Sequence, residues 1–145
     1  MNVFLPGPGD HLIFNVDAPV GPGTGSTEDI LLVQFLIRKV AEKRLNAHPA
    51  LKARMLKVPL SGVADAATVD GIKAAQEYLK AEPGYGGTVV DGRVSPARGI
   101  SYGGGVWTIC VLNNTVRDLY PELWPRLQDF DGCPVAVGAK AQKIL

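Results

Sequence analysis

The chain has 145 residues, of which 46% are hydrophobic, and its 15 basic and 14 acidic side chains nearly cancel. This composition predicts one soluble domain, residues 1–145, with a sizeable hydrophobic core. Because a duplex-binding protein usually carries a basic surplus, the balance disfavours nucleic acid as a partner. The longest apolar run, Ile30–Ile37, contains Gln34 and is too short to span a bilayer, and the N-terminus lacks a signal-peptide pattern. We therefore expect no membrane partner and a cytoplasmic location on synthesis.

The first elements in chain order are an extended stretch and a long helix. Residues 1–25 are rich in glycine and proline, and only "HLIFNV" within them predicts a strand or an extended arm. The run "GPGTG" precedes a helix start, where an anion could bind, but it lacks the ending of a phosphate loop and is interpreted as a connector. A helix is predicted over "EDILLVQFLIRKVAEKRLN", capped by Ser26 or Thr27, because apolar residues recur there with helical spacing at Ile30, Val33, Ile37, Val40 and Ala41.

Three further helices and a short tail complete the predicted elements. A short helix begins near Pro49 and ends before Pro59, and a longer one, capped by Asp65, runs to about Ala81. The last runs from about Val106 to Tyr120, after a loop that has tyrosine at its centre. In the tail, two short apolar pieces flank an Asp-Gly turn, and Trp124, Leu127 and Phe130 are expected to pack on the helices. No clear sheet is predicted, only extended segments near Val3–Val16 and Thr88–Val90.

Two patterns occur twice in the chain. Ile30-x-x-Val33-Gln34-x-x-Ile37 is matched 42 positions later by Ile72-x-x-Ala75-Gln76-x-x-Leu79. Residues 61–68, "SGVADAAT", are matched 30 positions later by residues 91–98, "DGRVSPAR". We name these segments the first and second connector. Each is predicted to join two helices through a glycine turn followed by a helix cap, with the roles held by Gly62, Asp65, Asp91, Gly92 and Ser95.

The repeated pattern resembles the peptidoglycan-binding-like domain family, whose signature joins a helix of the type apolar-Gln-x-x-Leu to two Asp-Gly-x-apolar-Gly-Pro-x-Thr connectors. The chain departs from that signature at Ser61 and Ala75, and in a tyrosine-glycine loop inserted before the last helix. The resemblance implies a mainly α fold, a small three-helix bundle over residues 20–120. Residues 1–19 would form an extended N-terminal arm, and residues 121–145 a C-terminal tail packed on the bundle.

Candidate ligand-binding residues lie in the glycine-rich loops. Tyr85, Tyr102 and Arg93 could stack on or bind a sugar or peptide, and Arg98 could pair with a carboxylate of a wall peptide. The ligand groove is expected between the two connectors and the Tyr102 loop. Other polar and aromatic residues have two interpretations, a ligand contact or a structural role in fixing loops or packing the core, and the structural role is favoured for Gln34, Gln76, Asp91, Trp107 and Trp124.

Catalysis and metal binding find no support in the sequence. The only cysteines, Cys110 and Cys133, disfavour a disulfide framework, and His11 and His48 show no metal-ligand spacing. Cys110 with His48 could imitate a thiol protease pair, but Cys110 has apolar neighbours, and burial would raise its pKa and suppress its reactivity. We predict a protein that is not an enzyme and has no metal or other cofactor.

Two functions remain open. The resemblance implies a non-catalytic binding module for the peptidoglycan glycan or stem peptide, and without a signal peptide it would leave the cell through a contractile injection or type VI-type secretion system or with a phage. The alternative is a cytoplasmic or particle-bound adaptor that uses the same helical scaffold to hold another protein of a secretion or phage particle. Wall binding is the leading hypothesis, and the arm and the apolar tail, which lie outside the module, slightly favour the adaptor.

Overall fold

The computed structural model describes residues 1–7, 9, 11–99, 101–102 and 105–145, with the backbone alone at 101, 102 and 105. The described residues are mainly helical, as predicted, and form five α-helices and two short two-stranded sheets. The elements are β1 (Asn2–Phe4), β2 (Ile13–Asn15), α1 (Thr27–Lys43), α2 (Pro49–Leu56), α3 (Ala66–Ala81), β3 (Ser101–Tyr102), β4 (Gly105–Val106), α4 (Thr108–Leu119), a 3₁₀ turn (Leu127–Asp129) and α5 (Val135–Ile144). No described helix is long and apolar enough to cross a membrane.

Helix α1 is the centre of the molecule. Its N-cap Ser26 accepts a hydrogen bond from the Asp29 N–H at 3.2 Å, and the acidic first turn suits the positive end of the helix dipole. The other four helices all pack against it. Its apolar side chains are therefore buried on several faces, among them Leu32, Val33, Phe35, Leu36 and Ile37.

Strands β1 and β2, which lie in the segment predicted as an extended arm, pair with each other, and β2 enters the core. Strands β1 and β2 pair antiparallel, with Val3 opposite Phe14, and the Phe14 side chain is fully buried. The Phe14 N–H donates to Oδ1 of Asn113 on α4 at 2.7 Å, and Nδ2 of Asn113 donates to the Phe14 carbonyl at 2.9 Å. A single buried amide thus satisfies the inner edge of the hairpin and fixes it to α4.

The α-amino group of Met1 fastens the start of the hairpin to the start of α1. It lies 2.6 Å from carboxylate oxygens of both Asp17 and Asp29, and 3.3 Å from Glu28. Burial lowers the pKa of this amino group, but the hydrogen bonds to Asp17 and Asp29 outweigh burial and raise the pKa above its ordinary value.

The tail packs on the core as predicted, but its last apolar piece is a helix. Phe130 meets Phe35 edge-on at 5.7 Å between ring centroids, Trp124 meets Phe14 at 5.3 Å, and Leu127 is fully buried. Helix α5 was not predicted because it has no side-chain cap and contains Gly138. That glycine allows close packing, since a Cβ there would lie 3.1 Å from Cα of Gln128.

Two local predictions are wrong around the second connector. The tyrosine-glycine loop contains the paired strands β3 and β4. The short extended segment expected near residues 88–90 is not part of a strand, and the N–H and hydroxyl of Thr88 both donate to the Tyr85 carbonyl. Ser95 does not cap a helix, because α4 begins only at Thr108. The chain after Ser95 is held away from helical geometry by Asn15, whose side-chain amide accepts from the Ala97 N–H at 3.0 Å and donates to the Ala97 carbonyl at 3.2 Å.

Candidate functional site

The first connector is fixed by the buried side chain of Gln34. Its Oε1 accepts hydrogen bonds from the N–H groups of Ser61 at 3.1 Å and Gly62 at 3.0 Å. Its Nε2 donates to the Val63 carbonyl at 3.1 Å, to Oγ1 of Thr68 at 2.8 Å and to Oγ of Ser61 at 3.2 Å. Because the amide is 0% exposed, these bonds satisfy both ends of a polar group inside the core.

The second connector repeats this arrangement around Gln76. Oε1 of Gln76 accepts from the N–H groups of Asp91 at 3.1 Å and Gly92 at 3.0 Å. Nε2 donates to the Arg93 carbonyl at 2.9 Å, to Oδ1 of Asp91 at 3.1 Å and to Oγ1 of Thr108 at 3.4 Å. Both glutamines therefore have the structural role that the sequence favoured, the fixing of a loop backbone.

The two turn glycines also occupy equivalent places. Gly62 has φ +73° and Gly92 φ +71°, a left-handed conformation that side-chain-bearing residues adopt only with strain. A Cβ on Gly62 would lie 2.7 Å from Cγ2 of Thr27, and one on Gly92 would lie 2.8 Å from Cγ1 of Val69. Thr27 and Val69 are themselves 42 positions apart, so the repeat in the sequence is a repeat of packing as well.

The two connectors differ in the path that the chain takes after the turn. In the first, Asp65 caps α3 directly, with Oδ1 accepting from the Thr68 N–H at 2.9 Å and from the Thr68 hydroxyl at 2.6 Å. These hydrogen bonds lower the pKa of Asp65 below its usual value. In the second, the chain runs on past Ser95 and reaches α4 only at Thr108. The added residues leave a space beside the turn.

That space is a cleft of about 180 Å³. It is lined by Gln76, Val89, Asp91, Arg93, Ser95, Trp107 and Thr108. Arg93 and Asp91 are exposed, and Trp107 is half-buried. Asp91 also has the structural role expected of it, because its Oδ1 accepts from the Arg93 N–H at 3.0 Å and so stabilises the turn.

The cleft contains some of the predicted ligand-binding residues and lacks others. Arg93 lines it, whereas Tyr85, half-buried in the turn after α3, and the exposed Arg98 do not. Tyr102 lies on β3, and its side chain is outside the described residues. Trp107 packs against the hydrophobic core, as the sequence favoured, and it also lines the cleft, which the sequence did not predict. The sequence signal for this position is the segment inserted after the second connector, which has no equivalent after the first. Trp107 is the last residue of that segment.

Two shallower grooves lie between the "GPGTG" run and the first connector. One, of about 250 Å³, is bordered by Thr24, Ile30 and Val63, and the other, of about 370 Å³, by Pro22, Asp70 and Lys73. The run itself is closed by a tight turn, in which Gly21 and Thr24 exchange backbone hydrogen bonds of 3.1 Å. Asp70 is engaged by Arg54 at 2.9 Å, and this hydrogen bond lowers the pKa of Asp70.

The reactive side chains are separated from the cleft. Both cysteines are free thiols, and burial raises the pKa of Cys110 and of Cys133 to about 11. Cys110 lies against the Gly99 carbonyl, whereas His48 packs edge-on against Tyr78 at 5.6 Å between ring centroids. Within the described residues, no group of three or more His, Cys, Asp or Glu side chains is placed to hold a metal ion.

Comparison with protein-family models, with curated protein sequences and with solved structures gives no match for this chain.

Proposed function

We propose that this chain is a non-catalytic binding module of the peptidoglycan-binding-like type, and that the cleft at the second connector holds its cell-wall ligand. The three helices of that module would be α1, α3 and α4, with the first connector directly before α3 and the second between α3 and α4. Strands β1 and β2 and helices α2 and α5 would be additions that enlarge its core.

The observation that carries the proposal is the difference between two equivalent turns. Gln34 and Gln76 hold their glycine turns with corresponding hydrogen bonds, yet only the second turn borders the cleft in which Arg93 and Trp107 lie. Hydrogen bonds within the protein hold the turn, so little ordering would oppose binding. Trp107 is a half-buried lining residue of the cleft, where an aromatic side chain can contact a sugar or peptide, and the Arg93 guanidinium is suited to a carboxylate.

Co-sedimentation with purified cell-wall sacculi tests the proposal. We expect the wild-type protein to pellet with the sacculi, and Arg93→Ala and Trp107→Ala to reduce the bound fraction at least fivefold. Val63→Ala is the matched control, because Val63 occupies the place of Arg93 in the first connector and is 60% exposed. The turbidity of the suspension should stay constant, since no bond is cleaved. Failure to pellet at low salt would contradict wall binding, and a falling turbidity would contradict the non-catalytic role.

One observation favours the adaptor as a second candidate. Where the second connector has the charged Arg93, the first exposes Val63 (60%), and Leu60, directly before the first connector, is also exposed (39%). Exposed apolar side chains close together are typical of protein contacts. If the adaptor is correct, Leu60→Asp with Val63→Asp should abolish cross-linking to a protein partner that Arg93→Ala retains. The opposite pattern would remove the support for this candidate.

A further inference from the structure

We propose that the cleft at the second connector recognises a zwitterion, an amino-acid-sized group that carries one ammonium and one carboxylate. The inference rests on the proposed function only for the source of that group, which would be the peptide part of the cell wall rather than its glycan. The recognition itself follows from the size of the cleft and from the charges on its rim.

The size of the cleft restricts the ligand. Its volume is about 180 Å³, whereas sites for larger organic ligands typically enclose roughly 300–1,000 Å³. This volume suits a group of about the size of a single amino-acid residue.

The charges on the rim specify both ends of the ligand. Asp91 and Arg93 are the only charged residues that line the cleft, and no ion pair joins them in the described structure. The hydrogen bonds of Asp91 involve Oδ1, which leaves Oδ2 to accept from an ammonium. The Arg93 backbone is fixed through its N–H and its carbonyl, while its side chain remains exposed.

A ligand with one charge would pair with only one of the two charged side chains on the rim. It would shield the other rim charge from water without giving it a partner, which opposes binding. A zwitterion pairs its carboxylate with Arg93 and its ammonium with Asp91 at the same time, and Trp107 can pack against its aliphatic part. The equivalent positions of the first connector hold Ser61 and Val63, so the chain has this charge pair only beside the cleft.

Three short peptides provide the test by titration calorimetry with the full chain. The probe N-acetyl-Ala-Ala-Lys has a free carboxylate and a free ammonium on its last residue. Its C-terminal amide lacks the carboxylate, and its Nε-acetyl form lacks the ammonium. We expect the first peptide to bind at least tenfold more tightly than either of the others.

Two variants assign each charge to its partner. Arg93→Ala should abolish the preference for the free carboxylate and keep that for the ammonium. Asp91→Asn should do the reverse, and asparagine retains the Oδ1 that the turn uses. Val63→Ala, again the control, should leave all three affinities unchanged.

The outcomes separate this inference from the proposed function. If sacculi bind but the three peptides bind equally or none of them binds, the zwitterion inference is overturned and wall binding stands. If the first peptide is preferred but sacculi do not bind, the cleft chemistry stands and the cell wall is the wrong source. If neither probe binds, both proposals are overturned.

Discussion

The first and second connectors have the same turn but differ in the path that the chain takes after it. Each has a glycine in the left-handed conformation, held by a buried glutamine on α1 (Gln34) or α3 (Gln76), and packed on the corresponding residue of the same helix, Thr27 or Val69. In the first connector, Asp65 then starts α3 at once, and the turn is bordered by shallow grooves. In the second, the chain departs toward Asn15 and returns at Trp107, and a cleft remains.

This difference separates the residues that maintain the scaffold from those that can contact a ligand. The glutamine and the glycine that both connectors share are explained by their structural role in the turn. Arg93, whose equivalent in the first connector is Val63, and Trp107, which lies in the inserted segment, differ between the two connectors, and these two line the cleft. Substitution of the shared glutamine or glycine should therefore lower the free energy of unfolding at either connector. Substitution of Arg93 or Trp107 should instead alter binding.

The largest expected effect on stability comes from the buried glutamines. Gln34→Leu removes the acceptor of the Ser61 and Gly62 N–H groups and the donor to the Val63 carbonyl. Since an unsatisfied buried group costs about 1–3 kcal/mol, we expect a loss of about 3 kcal/mol in the free energy of unfolding. Gln76→Leu should cost about 1 kcal/mol less, because water in the cleft can reach some of the groups that it exposes. Urea denaturation of the two variants measures the difference. Equal losses in the free energy of unfolding would contradict access of water to the second connector.

The turn glycines should give the next largest effect. Gly62→Ala and Gly92→Ala combine a left-handed backbone with a methyl group 2.7 and 2.8 Å from a neighbouring side chain. We expect each to lower the free energy of unfolding by about 2 kcal/mol. Gly23→Ala is the matched control, because Gly23 has φ +64° but nothing within 4 Å of its added Cβ, and it should cost about 1 kcal/mol.

A second substitution isolates the packing component. Thr27→Ser removes the methyl group that Gly62→Ala would meet, and Val69→Ala does the same for Gly92→Ala. The double variants should therefore lose less than the sum of their single losses. Strict additivity would show that backbone conformation alone explains the cost, and that the equivalent packing of the two glycines is not energetically important.

The sequence predicts those parts of the fold whose signals are local. Helices α1 and α3 have helical spacing of apolar residues, and their caps, Ser26 and Asp65, precede them directly. Helix α5 and the strands β3 and β4 lack such signals: α5 follows Pro134 without a cap, and β3 and β4 are two residues each. Their formation depends on packing that one short window of sequence does not contain.

The cleft was only partly predictable for the same reason. The repeat of Gln34 and Gln76 indicates that two turns are built alike, and this identifies Arg93 as a residue whose side chain the turn does not require. Ser95 has a typical cap sequence, with proline following. However, the side-chain amide of Asn15, 82 residues away, forms hydrogen bonds with the backbone N–H and carbonyl of Ala97. No local sequence pattern indicates this contact. Trp107 likewise comes to the cleft only through the path of the inserted segment.

Helix capping should also distinguish the two connectors, with a smaller effect on the free energy of unfolding. Asp65→Ala removes the hydrogen bonds to the N–H and hydroxyl of Thr68, and should lower the free energy of unfolding by about 1 kcal/mol. Ser95→Ala, at the corresponding place in the second connector, should change it by less than about 0.5 kcal/mol, because no helix starts there. If urea denaturation gave equal losses for the two variants, Ser95 would have a structural role that its position outside a helix does not explain.

The smallest effect is a pH dependence at the same cap. Because the pKa of Asp65 is lowered in the folded protein, its charge contributes stability above the ordinary carboxyl value of 3.8, and the contribution is lost as the pH falls through the folded pKa. Asp65→Asn retains a capping side chain but has no charge to lose. The difference in urea midpoint between wild type and Asp65→Asn should therefore shift in favour of the variant between pH 7 and about pH 2.5. Asp17 and Asp70, whose pKa values are also lowered, are present in both proteins, so their contributions cancel. A difference that stays constant over this range would mean that the carboxylate charge does not stabilise the cap, and that Asp65 acts through hydrogen-bond geometry alone.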